Sequence, residues 1–328
     1  MIGKGVCVSG NNSRCQIVVC FRNADCVVFY RVWQCVCLAV ALGGLYLPFA
    51  VKAQEDVTHT SQCSMLSRVS LYSTVAHMSV EALPSYRFEV TARYPHDPDA
   101  FTQGLVFYRG ALYESTGIQG HSSLRKVDLK TGRVLQIYPL DKHLFGEGLA
   151  RVGRQLVQLT WRSGSAFIYS METLQQTGQF TLDGEGWGST RMDRKLVISD
   201  GSSWLRFMDT GDYRETSTLQ VRVQDYPVKG LNELEFVEGQ IFANIYPTDC
   251  IARIDPATGQ VVGWINLAGL MPLSERPDGS AVANGIAYDP ETASLFVTGK
   301  RWPYIYRLKL LNKKVLPDKQ TTPPEMTG

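Results

Sequence analysis

One acidic side chain, Glu147, stands between two glycines in "FGEGL", which we expect to let the backbone turn tightly with no bulk beside the acid. Glu147 belongs to a set of residues that recurs along the chain. The set takes one polar or amphipathic residue from each of five similar segments. Its members are Gln103, Glu147, Trp187, Asn232 and Asn284. A carboxylate that is partly removed from water beside indole rings has a raised pKa, which suits it to general acid–base catalysis. With amide side chains beside it, the set predicts proton transfer on an amide-bearing ligand, without a metal or a covalent intermediate.

A second set follows at a constant register, five positions beyond the Leu or Ile that opens the next strand of each segment. Its members are Gly117, Trp161, Gly201, Tyr246 and Lys300. We expect its two aromatic rings and its lysine to lie beside Glu147, where Lys300 pairs with the acid or positions a carbonyl group. The alternative is structural, because buried polar residues often hold only water and tryptophans often wedge neighbouring sheets. Asp200 and Asp249 are expected to form turns.

Short strands in a repeating unit must position these residues. The repeats are "FTQGLVFYRGALYEST", "FGEGLARVGRQLVQLTW", "EGWGSTRMDRKLVISDG", "GLNELEFVEGQIFANIY" and "VANGIAYDPETASLFVTGK". Each predicts two strands joined by a turn, and most are followed by a third strand, a turn such as "DLKTGRV" and a fourth strand. The unit recurs about every 40 to 50 residues, which is the period of a four-stranded propeller blade. We therefore predict an all-β fold, a five-bladed β-propeller.

The last repeat predicts only three strands within 282–310. The missing outer strand is expected from "YRFEVTARYP", residues 86–95, so that the N-terminal strand closes the ring in the last blade. In a propeller the first strand of each blade lines the central channel, and equivalent residues therefore face one another. An open stack of hairpins or a β-sandwich is the alternative.

Composition separates this catalytic domain, 85–311, from its flanks. Residues 54–84 are polar and predict a linker, and residues 312–328 predict a flexible tail. The formal net charge of +2 gives no reason to expect a nucleic-acid partner. The five histidines show no metal-ligand spacing. We expect no metal, no cofactor and a monomer.

Residues 1–53 predict a leader outside the fold. The stretch 32–51 carries no charge, and "VKA" ends at Ala53 with a small residue suited to signal peptidase. We expect an exported protein, periplasmic or secreted. An uncleaved membrane anchor through 32–51, or a start codon placed too far upstream, are the alternatives. Cleavage after Ala53 would expose Gln54 as a new N-terminus.

The cysteines are concentrated before residue 64, and only Cys250 lies beyond it. This distribution predicts no disulfide in the main domain and favours Cys250 as a small packing residue.

The motifs "FTQGL", "LYESTG", "FGEGL", "QLTW", "LNELE", "NGIAYD" and "LFVTGKRWP" resemble the plant-type and bacterial glutaminyl-peptide cyclotransferases, also called glutamine cyclotransferases, over about residues 90–310. The resemblance implies a five-bladed propeller and an aminoacyltransferase that converts N-terminal glutamine of peptides or proteins to pyroglutamate and releases ammonia without a metal. It places the acid–base residue at Glu147. It assigns polar channel residues and an aromatic pocket to Gln103, Asn232, Lys300, Phe101, Trp161 and Trp187.

One departure from the family pattern concerns the aromatic wall. Where the family usually has tryptophan in "ANVWQTD", this chain has Tyr246 and Pro247 in "ANIYPTD". Tyrosine keeps a flat ring but is smaller, so we expect substrate affinity to differ while the chemistry survives. Two other functions remain open on the residues alone. One is a non-catalytic exported propeller that binds a peptide or partner at the channel mouth, and the weaker one is a metal-dependent lactonase.

Overall fold

The computed structural model describes residues 16–20, 26–30 and 83–315, with side chains described from 83 to 311. The chain divides into two compact units, 1–54 and 55–328. In the first unit, strands β1 (Gln16–Cys20) and β2 (Cys26–Tyr30) pair antiparallel.

The predictions about the flanks fall mainly outside the described residues. This holds for most of the predicted leader 1–53, including the apolar stretch 32–51, for nearly all of the linker 54–84, and for the tail beyond residue 315. Within the described residues, no helix is long and apolar enough to cross a membrane.

The second unit is made of short strands, as its β-branched and aromatic runs predict. In chain order they are β3 (Ser85–Pro95), β4 (Thr102–Tyr108), β5 (Ala111–Thr116), β6 (Ser123–Asp128), β7 (Val134–Pro139), β8 (Gly146–Val152), β9 (Gln155–Thr160), β10 (Ser165–Ser170), β11 (Gln176–Thr181), β12 (Gly188–Met192), β13 (Lys195–Ser199), β14 (Trp204–Asp209), β15 (Glu215–Gln220), β16 (Arg222–Val223), β17 (Tyr226–Pro227), β18 (Leu231–Val237), β19 (Gln240–Ile245), β20 (Cys250–Ile254), β21 (Val261–Asn266), β22 (Ala283–Asp289), β23 (Ser294–Gly299) and β24 (Tyr304–Val315). A single 3-10 turn, Leu273–Glu275, is the one helical element in the described range. The predicted all-β class is confirmed.

Three of the sheets are small, antiparallel and ordered as in the chain, and a fourth is larger. Strands β4–β7, β8–β11 and β12–β15 each make a four-stranded sheet. Strands β18–β21 continue into an eight-stranded sheet through β3, β24, β23 and β22. Strand β3 pairs antiparallel along β24 and parallel with β21 near Ser85 and Tyr86. Strands β16 and β17 form a separate short hairpin.

The hydrophobic core consists of five apolar clusters, and each joins neighbouring groups of strands. Leu124 and Tyr169 belong to the cluster between the first and second sheets. Leu112 and Phe296 belong to the cluster that joins the first sheet to β23. The first strands also contact one another in sequence, β4 with β8, β8 with β12, β12 with β18, β18 with β22 and β22 with β4. The inner strands thus form a closed cycle of contacts, and the residues they carry can converge.

Cys250 is buried and disulfide-bonded. The prediction of a small buried residue is confirmed, whereas the prediction of a domain without disulfides is wrong. Counting cysteines within the repeat region could not reveal the bond, because that region contains only this one.

Candidate active site

The residues of the first set lie where the innermost strands are irregular. Gln103, Glu147, Asn232 and Asn284 each fall inside a register shift between the first and second strand of their unit. Trp187 immediately precedes β12. A β-bulge bends the strand and re-aims the side chain of the extra residue. The bulges therefore explain how four residues at one register leave the apolar alternation of their strands.

The glycines beside Glu147 have a different role from the predicted one. Gly146 and Gly148 lie within β8, not in a turn. A Cβ atom added to Gly148 would come within 2.6 Å of the Gly188 carbonyl carbon. These glycines are needed because backbones approach closely at the bulge, and the expectation of a tight turn is corrected accordingly.

Glu147 is 5% exposed, and its carboxylate accepts no hydrogen bond among the described residues. Burial raises its pKa well above the ordinary value for glutamate, the Lys300 ammonium lowers it and the Glu185 carboxylate raises it. Lys300 is also 5% exposed. Burial lowers the pKa of Lys300, and the charge of Glu147 opposes that shift. The two groups thus interact through their charges inside a site that excludes most water.

Lys300 lies between two aromatic rings of the predicted pocket. Its Nζ atom is 4.9 Å from the centre of the Phe101 ring and 5.0 Å from the centre of the Tyr246 ring. Ring faces attract a cation at such distances. Tyr246 also meets Trp187 edge to face, with ring centres 5.9 Å apart. The structure therefore brings Lys300 together with three of the predicted aromatic residues.

Glu185 joins the two indoles and was not identified as a site residue from the sequence. The Nε1 atoms of Trp161 and Trp187 each donate a hydrogen bond of 2.8 Å to Glu185 Oε2. Arg162 Nε donates to Glu185 Oε1 at 2.7 Å. Burial acts to raise the pKa of Glu185, but the hydrogen bonds from Trp187, Arg162 and Trp161 bring it below the ordinary value. Glu185 is thus an ionised residue that fixes both tryptophans.

Phe145, in the same motif as Glu147, was also missed. Its ring packs edge to face against the Phe101 ring, with ring centres 6.1 Å apart. The centres of the Phe145 and Trp161 rings are 5.6 Å apart. A Cβ atom on Gly117 would overlap with the Phe145 ring. Gly117, the member of the second set from the preceding repeat, therefore leaves space for the Phe145 ring. A glycine at this strand end could have indicated a nearby aromatic residue.

Two amide side chains of the first set, Asn284 and Gln103, are joined by a hydrogen bond. Asn284 Nδ2 donates to Gln103 Oε1 and to the Thr102 carbonyl oxygen, at 2.9 Å in each case. The Oδ1 atoms of Asn284 and Asn232 are buried and accept no hydrogen bond within the described residues. A buried acceptor without a partner is costly, so such atoms are suited to the N–H groups of a ligand.

The two aspartates expected in turns differ. Asp200 accepts the Ser202 N–H, as a turn residue does. Asp249 is buried and accepts a hydrogen bond of 2.7 Å from Arg276 Nη2, so it forms an ion pair as well. Across the described part of the chain, no three His, Cys, Asp or Glu side chains are grouped so that they could hold a metal ion.

A family model described as glutamine cyclotransferase matches residues 63–310. The chain belongs to this family. It is 43% identical over 228 residues to the glutaminyl-peptide cyclotransferase of Arabidopsis thaliana, covering 68% of this chain and 71% of that relative. The structure is similar to the crystal structure of Myxococcus xanthus glutaminyl cyclase, with a TM-score of 0.66, 38% identity, and coverage of 70% of this chain and 98% of the other. The family resemblance inferred from the motifs is confirmed, and every site residue described above lies in the part that matches the glutamine cyclotransferase family.

Proposed function

We propose that the protein is a glutaminyl-peptide cyclotransferase, an aminoacyltransferase that converts an N-terminal glutamine of a peptide or protein to pyroglutamate and releases ammonia. The observation that carries the proposal is the environment of Glu147. Its carboxylate is buried, accepts no hydrogen bond within the described residues, and lies near a lysine that is held between aromatic rings. Relatives that share the match support the same activity.

The reaction needs one proton to move between two nitrogen atoms. The neutral α-amine attacks the carbon of the side-chain amide, and a new C–N bond closes the five-membered lactam. Glu147 accepts one of the two amine protons and passes it to the departing nitrogen, which leaves as NH3 when its C–N bond breaks. The carboxylate is then regenerated. An acid whose pKa is raised toward the working pH is suited to both halves of this transfer.

The remaining residues bind and orient the substrate. The free Oδ1 atoms of Asn232 and Asn284 accept hydrogen bonds from substrate N–H groups. Gln103 orients Asn284, and the Lys300 ammonium stabilises negative charge that develops on the amide oxygen. Phe101, Trp161, Trp187 and Tyr246 enclose the side chain and exclude water. Because ring closure is intramolecular, holding the chain in its cyclising conformer supplies much of the acceleration.

The architecture that we propose for this site is a five-bladed propeller closed by β3 in the last blade. The cycle of contacts among β4, β8, β12, β18 and β22 supports the count of five. The antiparallel pairing of β3 with β24 supports the closure. We further propose that catalysis needs no metal, because the polar side chains of the site are the acids Glu147 and Glu185 with amides and a lysine, a set without a cluster of metal ligands among the described residues.

We also propose that the protein is exported, acts as a monomer and binds no nucleic acid. The disulfide of Cys250 supports export, since disulfides persist in oxidising compartments. The predicted signal peptide, or an anchor through 32–51, would provide the route.

Incubation of the purified protein with a Gln-initiated peptide tests the activity. We expect each product molecule to weigh one ammonia less than the peptide, with matching ammonia in solution. A peptide of the same sequence with an acetylated N-terminus is the control, because its nitrogen cannot attack, and it should stay unchanged. Recovery of the Gln-initiated peptide bound but unaltered would instead establish the non-catalytic binding module.

A further inference from the structure

Glu233 occupies a position in the repeats that is otherwise glycine. The residue that follows each member of the first set is Gly104, Gly148, Gly188 and Gly285 in four repeats, and Glu233 in the fourth repeat along the chain. Gly104, Gly148 and Gly188 lie where backbones nearly touch, and a Cβ atom on Gly188 would overlap with the Asn232 carbonyl oxygen. Gly285 has a positive φ of 117°, which residues with a side chain rarely adopt. One repeat thus carries a long acidic side chain at a position where the others carry none.

The Glu233 carboxylate reaches two other inner strands. Its Oε1 atom accepts the Leu105 N–H of β4 at 3.2 Å, and its Oε2 atom accepts the Ile286 N–H of β22 at 2.8 Å. Glu233 is fully buried, with 0% exposure. An inner strand has no pairing partner on one side, so its N–H groups there must find another acceptor. Glu233 is that acceptor for two strands at once.

Both bonded N–H groups lie close in sequence to polar site residues. Leu105 follows Gln103 by two positions, and Ile286 follows Asn284 by two positions. Glu233 itself directly follows Asn232. The Gln103 and Asn284 side chains are hydrogen-bonded to each other across β4 and β22. One carboxylate is therefore connected to the backbone that carries all three amide residues of the site.

We propose that Glu233 is a positioning residue that holds the strands of Gln103, Asn232 and Asn284 in the register needed for substrate binding. The inference rests on the proposed cyclotransferase activity. Glu233 does not touch the substrate in this account. It acts through the β4 and β22 backbone, and its loss changes the geometry of the amide groups against which the substrate is held.

The test is E233Q, with E235Q as the matched control. Glutamine keeps the size of the side chain but replaces one accepting oxygen with an NH2 group that faces a backbone N–H. Glu235, two residues further along β18, also accepts a β22 backbone N–H, that of Tyr288 at 3.0 Å. It borders a cavity of about 940 Å³ that contains none of the proposed site residues. E233Q and E235Q thus make the same chemical change on one strand. Of these two glutamates, only Glu233 accepts backbone N–H groups within two positions of Gln103 and Asn284.

We expect E233Q to lower kcat/KM for a Gln-initiated peptide by about 10- to 100-fold, the range typical of a site displaced by a fraction of an ångström to about one ångström. E235Q is expected to lower it by less than about threefold, even where both variants lower the melting temperature equally. Assays are run well below both melting temperatures, so that a general loss of folding does not enter. Equal kcat/KM values for the two variants would overturn the proposal.

Two further measurements separate positioning from stability. E233D keeps both acceptor oxygens on a shorter side chain. It should fold, and its kcat/KM should lie between those of wild type and E233Q. If Glu233 acts through Gln103, E233Q should lower kcat/KM by a smaller factor in a Q103A background than in wild type. Additive losses would contradict the inference, as would wild-type kcat/KM in E233D.

Absence of cyclisation by the wild-type protein would refute the proposed function, whereas an active wild type with E233Q equal to E235Q would refute only the role of Glu233.

Discussion

Glu114 and Glu147 are both buried glutamates, 1% and 5% exposed, but their pKa values are displaced in opposite directions. Burial acts to raise the pKa of Glu114, yet the charge and hydrogen bond of His96, with a further hydrogen bond from Thr102, bring it below the ordinary value. Burial also raises the pKa of Glu147, and only the charge of Lys300 opposes it. The number of hydrogen-bond donors that the fold supplies therefore decides how each carboxylate behaves.

The comparison separates an acid that holds the fold together from one that is available for chemistry. Glu114 Oε1 accepts from His96 Nε2 at 2.9 Å and from Thr102 Oγ1 at 2.7 Å. Its proton affinity is suppressed, and its hydrogen-bonding capacity is used inside the protein. Glu147 is desolvated but keeps its lone pairs free for a ligand. Substitutions at Glu147, Lys300, Glu185 and Glu114 should either remove this contrast or change its size.

The largest effect is expected from E147Q, which removes the proton acceptor and keeps the shape of the side chain. Turnover of a Gln-initiated peptide should fall by at least about 100-fold, as is typical for the loss of a general acid–base group. Steady-state ammonia release measures it, with circular dichroism as the control for folding. Near-normal release by folded E147Q would reject Glu147 as the proton-transfer residue.

K300M should have the next largest effect, since it removes the buried cation and keeps an apolar chain of similar length. We expect kcat/KM to fall by about tenfold or more through lost charge stabilisation. Lys300 lowers the pKa of Glu147, so its removal should move the acidic limb of the pH–rate profile to higher pH. The peptide amine titrates identically for both proteins, and the difference between their profiles reports on the enzyme. An unmoved limb would show that the two charges are not coupled.

E185Q should have a weaker effect on kinetics than K300M, and it should shift the acidic limb of the pH–rate profile in the opposite direction. Glutamine cannot accept hydrogen bonds from both indoles and Arg162 as the carboxylate does, so KM should rise by roughly three- to tenfold as the aromatic wall loosens. Glu185 raises the pKa of Glu147, and removing its charge should move the acidic limb to lower pH. The exposed neighbour Asp183 provides the control D183N, which should leave KM and the limb unchanged. A rise in KM without the pH shift would reduce Glu185 to a purely structural support.

The smallest effect on rate is expected from E114Q, whose effect on stability is large. Removing one partner of a buried ion pair typically costs about 3 kcal/mol of unfolding free energy. The turnover of folded molecules should stay within about threefold of wild type, because Glu114 does not contact the substrate. Urea titrations and active-site-normalised kinetics check both values. A loss of turnover comparable to that of E147Q would remove the distinction between the two acids.

The pair formed by Glu114 and His96 should make the free energy of unfolding depend on pH. Burial acts to lower the pKa of His96, but Glu114 and the Trp302 carbonyl oxygen raise it above the ordinary value. A raised folded-state pKa means that this contribution is complete below the unfolded pKa of about 6.5 and is lost as pH rises through the folded pKa. Wild-type protein should therefore lose unfolding free energy over that interval, and E114Q should not. Parallel curves for the two proteins would contradict the account.

The repeat pattern predicted much of this arrangement because each unit repeats the same order of strands and turns. The second strands β5 and β9 are buried almost throughout, and this includes polar residues such as Glu114 and Gln158. Equivalent register also selected Glu147 and Lys300, whose charges interact, and Gln103 and Asn284, which are hydrogen-bonded. Equivalent positions can converge because the first strands of the units contact one another in sequence.

Other features were not predictable, because they depend on contacts between distant segments. Glu185 precedes β12 and becomes a site residue only when Trp161, from the preceding repeat, meets the same carboxylate oxygen as Trp187. The bulge at Glu147 could not be distinguished from a turn in "FGEG", since both conformations use glycine. The disulfide of Cys250 has no signal within the repeats.

The most direct test of the central claim is a titration of the Glu147 carboxyl group in the substrate-free protein. Carboxyl carbon resonances of 13C-glutamate-labelled protein are followed against pH, and the Glu147 and Glu114 signals are assigned by their absence in E147Q and E114Q. We expect a Glu147 midpoint well above the ordinary glutamate value and a Glu114 midpoint below it. A Glu147 midpoint at or below the ordinary value would mean that the site does not hold a proton-transfer acid, and the contrast between the two glutamates would be wrong.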